Sequence, residues 1–436
     1  DCGIPFCHKG CPLGNHIPDW NDLVYRGDFR GALARLHATN NFPEFTGHTC
    51  PAPCEDACVL TINDDAVTIK QVEKEIIDRA WSEGWIEPVR AAASTGRSVA
   101  VVGSGPAGLA VAQQLVRVGH AVTVYERDDR AGGLLRYGIP DFKLEKIQVE
   151  RRVKQLEAEG VTFKLGVNVG GETTLDDLRN AHDAVCLAVG AQKPRDMPIQ
   201  GRELAGVHLA MDYLTQQNRV VAGDAVSGQI TAKGKRVVIL GGGDTGADCL
   251  GTAHRQGAAE VHHFHYKPAP PEMRTEEMPW PWYPMILRES SSHEEGGERD
   301  WAVLCKAFEG SNGKLERLRC VRVRWDVGPD GRAQMIEIDG SEFHIDADLA
   351  LIAIGFVGAE AEPLGDALST TRRGTVESDD AFRTNLPGVF ACGDARRGAS
   401  LVVWAIWEGR EVARAVDTYL MGSSSLPSSP NPNPIS

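Results

Sequence analysis

Short apolar runs that end in glycine organise this chain. Residues 99–102 (VAVV), 121–125 (AVTVY), 237–240 (VVIL) and 261–264 (VHHF) show little of the alternation that marks a strand with one wet face. They predict strands buried on both sides of a parallel sheet. The first and third run into Gly103, Gly105 and Gly108, and into Gly241, Gly243 and Gly246, both at G-x-G-x-x-G spacing, and each is followed by a helical stretch. In such a turn the first glycine permits the tight bend, the second lets the backbone approach a pyrophosphate, and the third lets helix pack on strand. The helices opening at Pro106 and Ala107, and at Asp244 and Thr245, present their positive dipole ends to that pyrophosphate. Glu126 is the acid expected ~20 residues downstream to bind ribose hydroxyls. Two dinucleotide folds are predicted, and so two dinucleotides.

Two further apolar runs, 184–190 (AVCLAVG) and 349–355 (LALIAIG), match each other and mark the two crossings between these folds. Near the end, residues 384–394 (TNLPGVFACGD) place a short strand before Gly393 and Asp394, with a helix over 400–419 after it. An acid there, far in sequence from the first glycine loop, suits the ribityl and pyrophosphate region of a flavin held by a fold that the chain leaves and re-enters. The expected architecture is α/β: a helical cysteine-rich domain (1–96), a FAD domain in two parts (97–195 and 356–422), an inserted NAD(P)H domain (196–355) and a disordered tail (423–436). Gly133, Leu134, Val169 and Val402 are expected flavin contacts. The glycine-rich stretch 131–146 either wraps that cofactor or is a surface loop. Trp404 and Trp407 read as core. The second fold lacks the acid that the first has in Glu126 and offers His265, Lys267 and Arg274 after its strand. Basic groups there can neutralise a ribose 2'-phosphate, favouring NADPH; as solvated loop residues they leave the preference open. The proline-rich stretch 268–284 cannot be regular structure, and its Trp280, Trp282 and Tyr283 are expected to anchor a long loop.

Composition adds a third kind of chemistry. The net charge of -14 argues against nucleic acid or an anionic membrane as partner. No apolar run reaches the ~18 residues of a membrane span, no charged-then-apolar leader is read at the start, and a cytoplasmic enzyme is expected. Six of the eleven cysteines fall in the first 58 residues, as Cys2, Cys7, Cys11 and Cys50, Cys54, Cys58. A chain of 436 residues needs no disulfide framework, so the triplets read as metal ligands. Zinc sites usually take two pairs, whereas triplets suit iron-sulfur clusters that share ligands between runs; zinc stays open as the alternative. The sequence opens on Asp1 rather than methionine, so residues upstream are expected, with cluster ligands among them.

Together the segments DCGIPFCHKGCPLGNHIPDWNDLVYRGDF, TCPAPCEDACVLTINDDAVTIKQVE, GSGPAGLA, GGLLRYGIPDFKLEK, GGGDTGADC and GVFACGDARRGASLVVWAIWEGR resemble the small (beta) subunit family of glutamate synthase, from Asp1 to about position 420. The amino-terminal part of dihydropyrimidine dehydrogenase is similar. The resemblance implies two 4Fe-4S clusters in the cysteine-rich region, FAD in the first nucleotide fold and NADPH in the inserted one. It also implies a hetero-oligomer with a large (alpha) subunit that carries its own iron-sulfur cluster and FMN and makes glutamate from glutamine and 2-oxoglutarate. Eight ligands are then needed. Family members usually carry a further cysteine just upstream of Asp1, and the related dehydrogenase uses a glutamine at the position of Glu73. Cys2, Cys7 and Cys58 with the upstream cysteine are assigned to one cluster, and Cys11, Cys50, Cys54 and Glu73 to the other. Alternatively, Glu73 is a solvated charge on a helix over 68–79.

The implied chemistry is hydride transfer from NADPH to flavin, then single-electron exit through the clusters. It requires no catalytic acid, base or nucleophile. A positive dipole end near 400–402 would favour the reduced flavin. A thioredoxin-reductase type enzyme needs a Cys-x-x-Cys pair beside the flavin, which the scattered cysteines do not form. The runner-up is an electron-input subunit serving ferredoxin, sulfide or pyrimidine reduction; a scaffold with relic cofactor folds would be colourless.

Overall fold

The computed structural model describes residues 2–328 and 331–428. The part of the expected tail from position 429 onward lies outside them; Leu426, just before, is buried in the largest apolar core.

A five-stranded parallel sheet runs in the order Val389–Ala391, Ala184–Leu187, Ser98–Val102, Ala121–Glu126, Thr162–Leu165. Its edge strand Val389–Ala391 comes from the far end of the chain. A second parallel sheet has the order Val207–Leu209, Leu349–Ile352, Arg236–Leu240, Glu260–His265, Glu298–Trp301. The chain passes between them on two short paired strands, Lys193–Pro194 and Phe356–Gly358. The nicotinamide-type fold is thus an insertion in the flavin-type fold. Residues 99–102 and 237–240 are all buried, as parallel strands covered on both faces must be.

One element was not anticipated. Val303–Ser311, Lys314–Val327, Ala333–Glu337 and Phe343–Asp346 form an antiparallel sheet between the last two strands of the inserted fold. Its signal was present in the alternation of Leu318 and Cys320, which point into one core with Phe308 and Leu315.

The helix Pro106–Arg117 lies between the first sheet and the long helix Val402–Met421. A Cβ on Gly409 would sit 2.8 Å from the Ala110 Cβ, so glycine sets this close approach. Short helices from Phe6–Gly10 to Ile69–Ser82 build the cysteine-rich module. Buried polar contacts join it to the flavin fold: Arg152 Nε and Nη2 donate to both Glu44 carboxylate oxygens at 2.7 Å, with both side chains fully buried. Arg410 Nη1 donates to Asn41 Oδ1 at 2.6 Å, and Asn41 Nδ2 to Gln113 Oε1 at 2.7 Å. Breaking a buried pair strands its partner's charge. Arg152→Met is therefore expected to cost about 3–5 kcal/mol of stability in urea unfolding, whereas a small change would show that Glu44 is rehydrated.

Among the described residues no helix is long and apolar enough to cross a membrane.

Candidate functional site

The two glycine loops are built alike. Gly103 has φ +101 and a Cβ there would collide with the Ala188 carbonyl; Gly241 has φ +128 and meets the Ala353 carbonyl in the same way. Each third glycine, Gly108 and Gly246, lies against the carbonyl of the first. Each second glycine, Gly105 and Gly243, would put a Cβ into open space with no protein atom within 4 Å. Two in each loop, four in all, are thus glycine for the fold, while Gly105 and Gly243 leave room for a group that is not protein.

At the first loop, Glu126 is buried and accepts from the Ser104 amide at 2.9 Å and the Asp128 amide at 2.9 Å, as well as from the Ser104 hydroxyl. Ser104 Oγ in turn accepts from the Gly132 amide at 2.9 Å. Ser104 was not singled out from the sequence; it joins the loop, the acid and the 131–146 segment. Gly133 closes on Gly105, where a Cβ would lie 3.0 Å from the Gly105 Cα. Leu134 opens the short helix Leu134–Tyr137 beside it, and Val169 is buried in the core under the same sheet. A Cβ on Gly393 would sit 2.8 Å from the Ala107 Cβ, so the late strand end meets the first helix. Asp394 accepts from Ser400 Oγ at 2.8 Å, and desolvation raises its carboxyl to about 6.

Glu408 was also missed. Its fully buried carboxylate accepts from the Gly393 amide at 2.8 Å and from Arg396 and Arg397 at 3.0 Å each. The only sequence signal is an acid inside an apolar helical run. Trp407 is buried as expected, and Trp404 lies under Arg397, 4.0 Å from guanidinium carbon to ring centre. The amides of Val402 and Val403 have no acceptor among the described residues, so that helix start offers free donors.

At the second loop the sequence reading needs two corrections. His265 ends its strand, buried against Gly242, and burial drives its imidazole down to about 3. It is neutral and adds no charge for a phosphate. Arg274 turns away: Nη2 donates to the Asp56 carbonyl at 2.7 Å, in the cysteine-rich module. Lys267 remains exposed just past the strand. The stretch 268–284 has no regular structure and rests on that module, where Trp280 Nε1 donates to the Cys58 carbonyl at 3.2 Å.

Beside His265, His263 donates through Nε2 to the Gly241 carbonyl and lies 3.4 Å from His293. Burial lowers His263 and His293 to about 4. The unfolded chain, with histidine near ~6.5, binds these protons first. The stability that neutral histidines provide is complete above pH 6.5 and is lost as pH falls towards 4. Urea midpoints are expected to drop steeply between pH 6.5 and 5, and less steeply in His263→Asn.

All eleven cysteines are free thiols, and of the amino-terminal six only Cys2 is exposed. Cys7 lies on Phe6–Gly10 and Cys11 caps that helix; Cys50 caps Pro43–Thr49, Cys54 lies in Pro53–Asp56 and Cys58 opens the turn after it. Cys2 and Cys58 both push the Cys7 thiol up, whereas Glu73 pushes up Cys11, Cys50 and Cys54, with Cys11 adding to Cys50 and Cys54. The second group lines one pocket with Lys70, Trp20 and Val403. Glu73 is no solvated charge. It is buried on Ile69–Ser82, its Oε1 accepting from Asn40 and Thr46 at 2.8 Å each, and among the described residues no hydrogen bond reaches Oε2. Desolvation lifts it to about 7, Cys7 to about 11 and Cys11 to about 12. Thiolates so buried need a cation beside them, as cluster iron is. Among the described residues no three His, Cys, Asp or Glu side chains converge on a single-ion site.

Two dinucleotide folds, one inserted in the other and both set against a cysteine-rich module, define a pyridine-nucleotide oxidoreductase with an iron-sulfur domain. Residues 1–85 match the family model for dihydropyrimidine dehydrogenase domain II, 4Fe-4S cluster, and residues 97–279 and 317–409 match that for pyridine nucleotide-disulphide oxidoreductase. The chain is 58% identical over 439 residues to the glutamate synthase [NADPH] small chain of Mycobacterium tuberculosis, covering 99% of this chain and 89% of that one. It is 48% identical over 442 residues to glutamate synthase [NADH] of Saccharomyces cerevisiae, covering 98% of this chain and 21% of that longer protein. The structure of Mycobacterium tuberculosis FprA in complex with NADPH shares the fold at a TM-score of 0.60 and 19% identity, covering 75% of this chain and 84% of that one. The chain belongs to the glutamate synthase small-chain family and is an NAD(P)H-dependent oxidoreductase of that type.

Proposed function

We propose that the chain takes hydride from NADPH onto FAD in the first fold and passes single electrons through two 4Fe-4S clusters to a glutamate synthase large chain. Bound FAD supplies the change from a two-electron reductant to single electrons, and the clusters supply the one-electron exits. The observation that carries the reading is Val403. It follows the start of the helix Val402–Met421, which we take to face the flavin, and it also lines the pocket of Cys11, Cys50, Cys54 and Glu73. Flavin site and cluster site therefore share a wall.

The chain's own residues orient and exclude water. Gly105 and Gly243 leave the approach for each pyrophosphate, and Glu126, held by Ser104, is the ribose acceptor on the FAD side. Asp394 and the free amides at Val402 and Val403 face the flavin, the amides offering positive partial charge. Cys2, Cys7 and Cys58 would hold one cluster and Cys11, Cys50, Cys54 and Glu73 the other. A partner is supported by the yeast relative, in which the matched region is 21% of a longer glutamate synthase. The free chain should therefore reduce artificial acceptors yet make no glutamate.

NADPH is the proposed donor, with Lys267 on the 2'-phosphate, since no acid ends the strand Glu260–His265. A charge-assisted contact is worth ~1.5–3 kcal/mol, so Lys267→Ala should raise KM for NADPH about tenfold or more and leave KM for NADH unchanged.

An anaerobic NADPH titration tests the whole reading. Flavin bands and the broad iron-sulfur absorbance should both bleach; a protein whose flavin bleaches while iron-sulfur absorbance stays constant would overturn it.

A further inference from the structure

The stretch 268–284 leaves the nicotinamide fold and grips the module at one of its two cysteine groups. Trp280 Nε1 donates to the Cys58 carbonyl at 3.2 Å, and its ring lies 4.5 Å from that of Phe6, the neighbour of Cys7. Arg274 Nη2 donates to the Asp56 carbonyl at 2.7 Å and Arg288 Nη2 to Asp56 Oδ2 at 2.9 Å. Arg288 also stacks on Tyr283, 4.7 Å from its ring centre. The contacts fall on Asp56, Cys58 and Phe6, while Cys2 of the same group is exposed. Tyr283 lies close enough to Cys50 of the other group to feel its charge, but among the described residues no hydrogen bond runs from the stretch to Cys11, Cys50, Cys54 or Glu73.

We propose that Trp280 is a positioning residue for the cluster held by Cys2, Cys7 and Cys58, closing that cluster from solvent and fixing Cys58 from a loop of the nicotinamide fold. This rests on the cysteines being cluster ligands. Groups that orient a metal's ligands govern how tightly the metal is held, and hydrogen bonding and exposure set a cluster's potential. Shielding by the Trp280 and Phe6 rings disfavours the more negative, reduced cluster. The indole N–H opposes this by placing a positive end beside the ligand's carbonyl. The nicotinamide fold thereby hydrogen-bonds directly to a ligand residue of one cluster.

The test uses the full chain, purified anaerobically with its iron. Trp280→Ala should release about half of its iron to a ferrous chelator roughly 10–100-fold faster, while the rest leaves at the wild-type rate. One of the two EPR-monitored midpoints should rise, and NADPH-to-ferricyanide activity should stay unchanged. Trp280→Phe keeps the ring and removes only the N–H, so the same midpoint should fall with iron release near wild type. If Trp280→Ala does not fold, Trp280→Phe decides: unchanged midpoints overturn the proposal. Faster loss of all the iron together with loss of flavin would show general destabilisation and overturn it as well. A wild-type protein without iron would instead overturn the cluster reading itself.

Discussion

Gly105→Ala is expected to yield a protein that folds with wild-type stability but purifies without its flavin. An alanine Cβ at this position meets no protein atom within 4 Å, and the backbone, φ -66 and ψ -179, is one that alanine adopts readily. The methyl's only collision is with a ligand that approaches the loop. Steric overlap of this kind costs ~1–3 kcal/mol or more, which at tenfold per 1.4 kcal/mol weakens FAD by at least ~10–100-fold. Gly243→Ala, equally open at φ -93 and ψ -175, should retain FAD and lose NADPH oxidation by a similar factor. Gly108→Ala differs in kind, because its Cβ runs into the Gly103 carbonyl and the fold itself must give. Flavin absorbance, urea midpoint and NADPH oxidation, measured on all three, separate room for a ligand from room for the chain. A yellow Gly105→Ala protein with full activity would show that the pyrophosphate lies elsewhere.

Cys50→Ser should divide the activity in two. The thiol lines the pocket with Cys11, Cys54, Glu73 and Val403, so its loss removes the cluster next to the flavin wall. Iron content should drop by about four atoms per chain. Glutamate synthesis with the large chain should fall ~100-fold or more, while NADPH reduction of ferricyanide, which draws on the flavin, stays within about twofold. Equal loss of both activities would place Cys50 in the structure of the flavin fold instead.

These outcomes depend on features of unequal visibility. Both glycine loops were legible because the demand is local: within six residues a bend, an open approach and a close packing each require the missing Cβ. The late strand ending at Asp394 was legible for a similar reason, since a short apolar run before Gly-Asp has few other uses. The antiparallel sheet that opens at Val303 went unread although Leu318 and Cys320 alternate, because half-buried strands with charged outer faces resemble polar loop. His265 and Arg274 were read as free cations from their place after a strand. One is neutral through burial against Gly242, and the other is spent on a carbonyl 218 residues away in sequence.

The sequence by itself determined the two nucleotide folds, the insertion of one in the other, and the metal-binding character of the cysteine triplets, because each is written in spacing along a short segment. Only the tertiary structure decided that Cys11, Cys50, Cys54 and Glu73 line one pocket with Glu73 buried, that Glu408 braces Gly393 and Ser104 braces Glu126, and that Trp280 reaches Cys58. Burial and charge pairing join residues tens to hundreds of positions apart, and no local pattern carries that information.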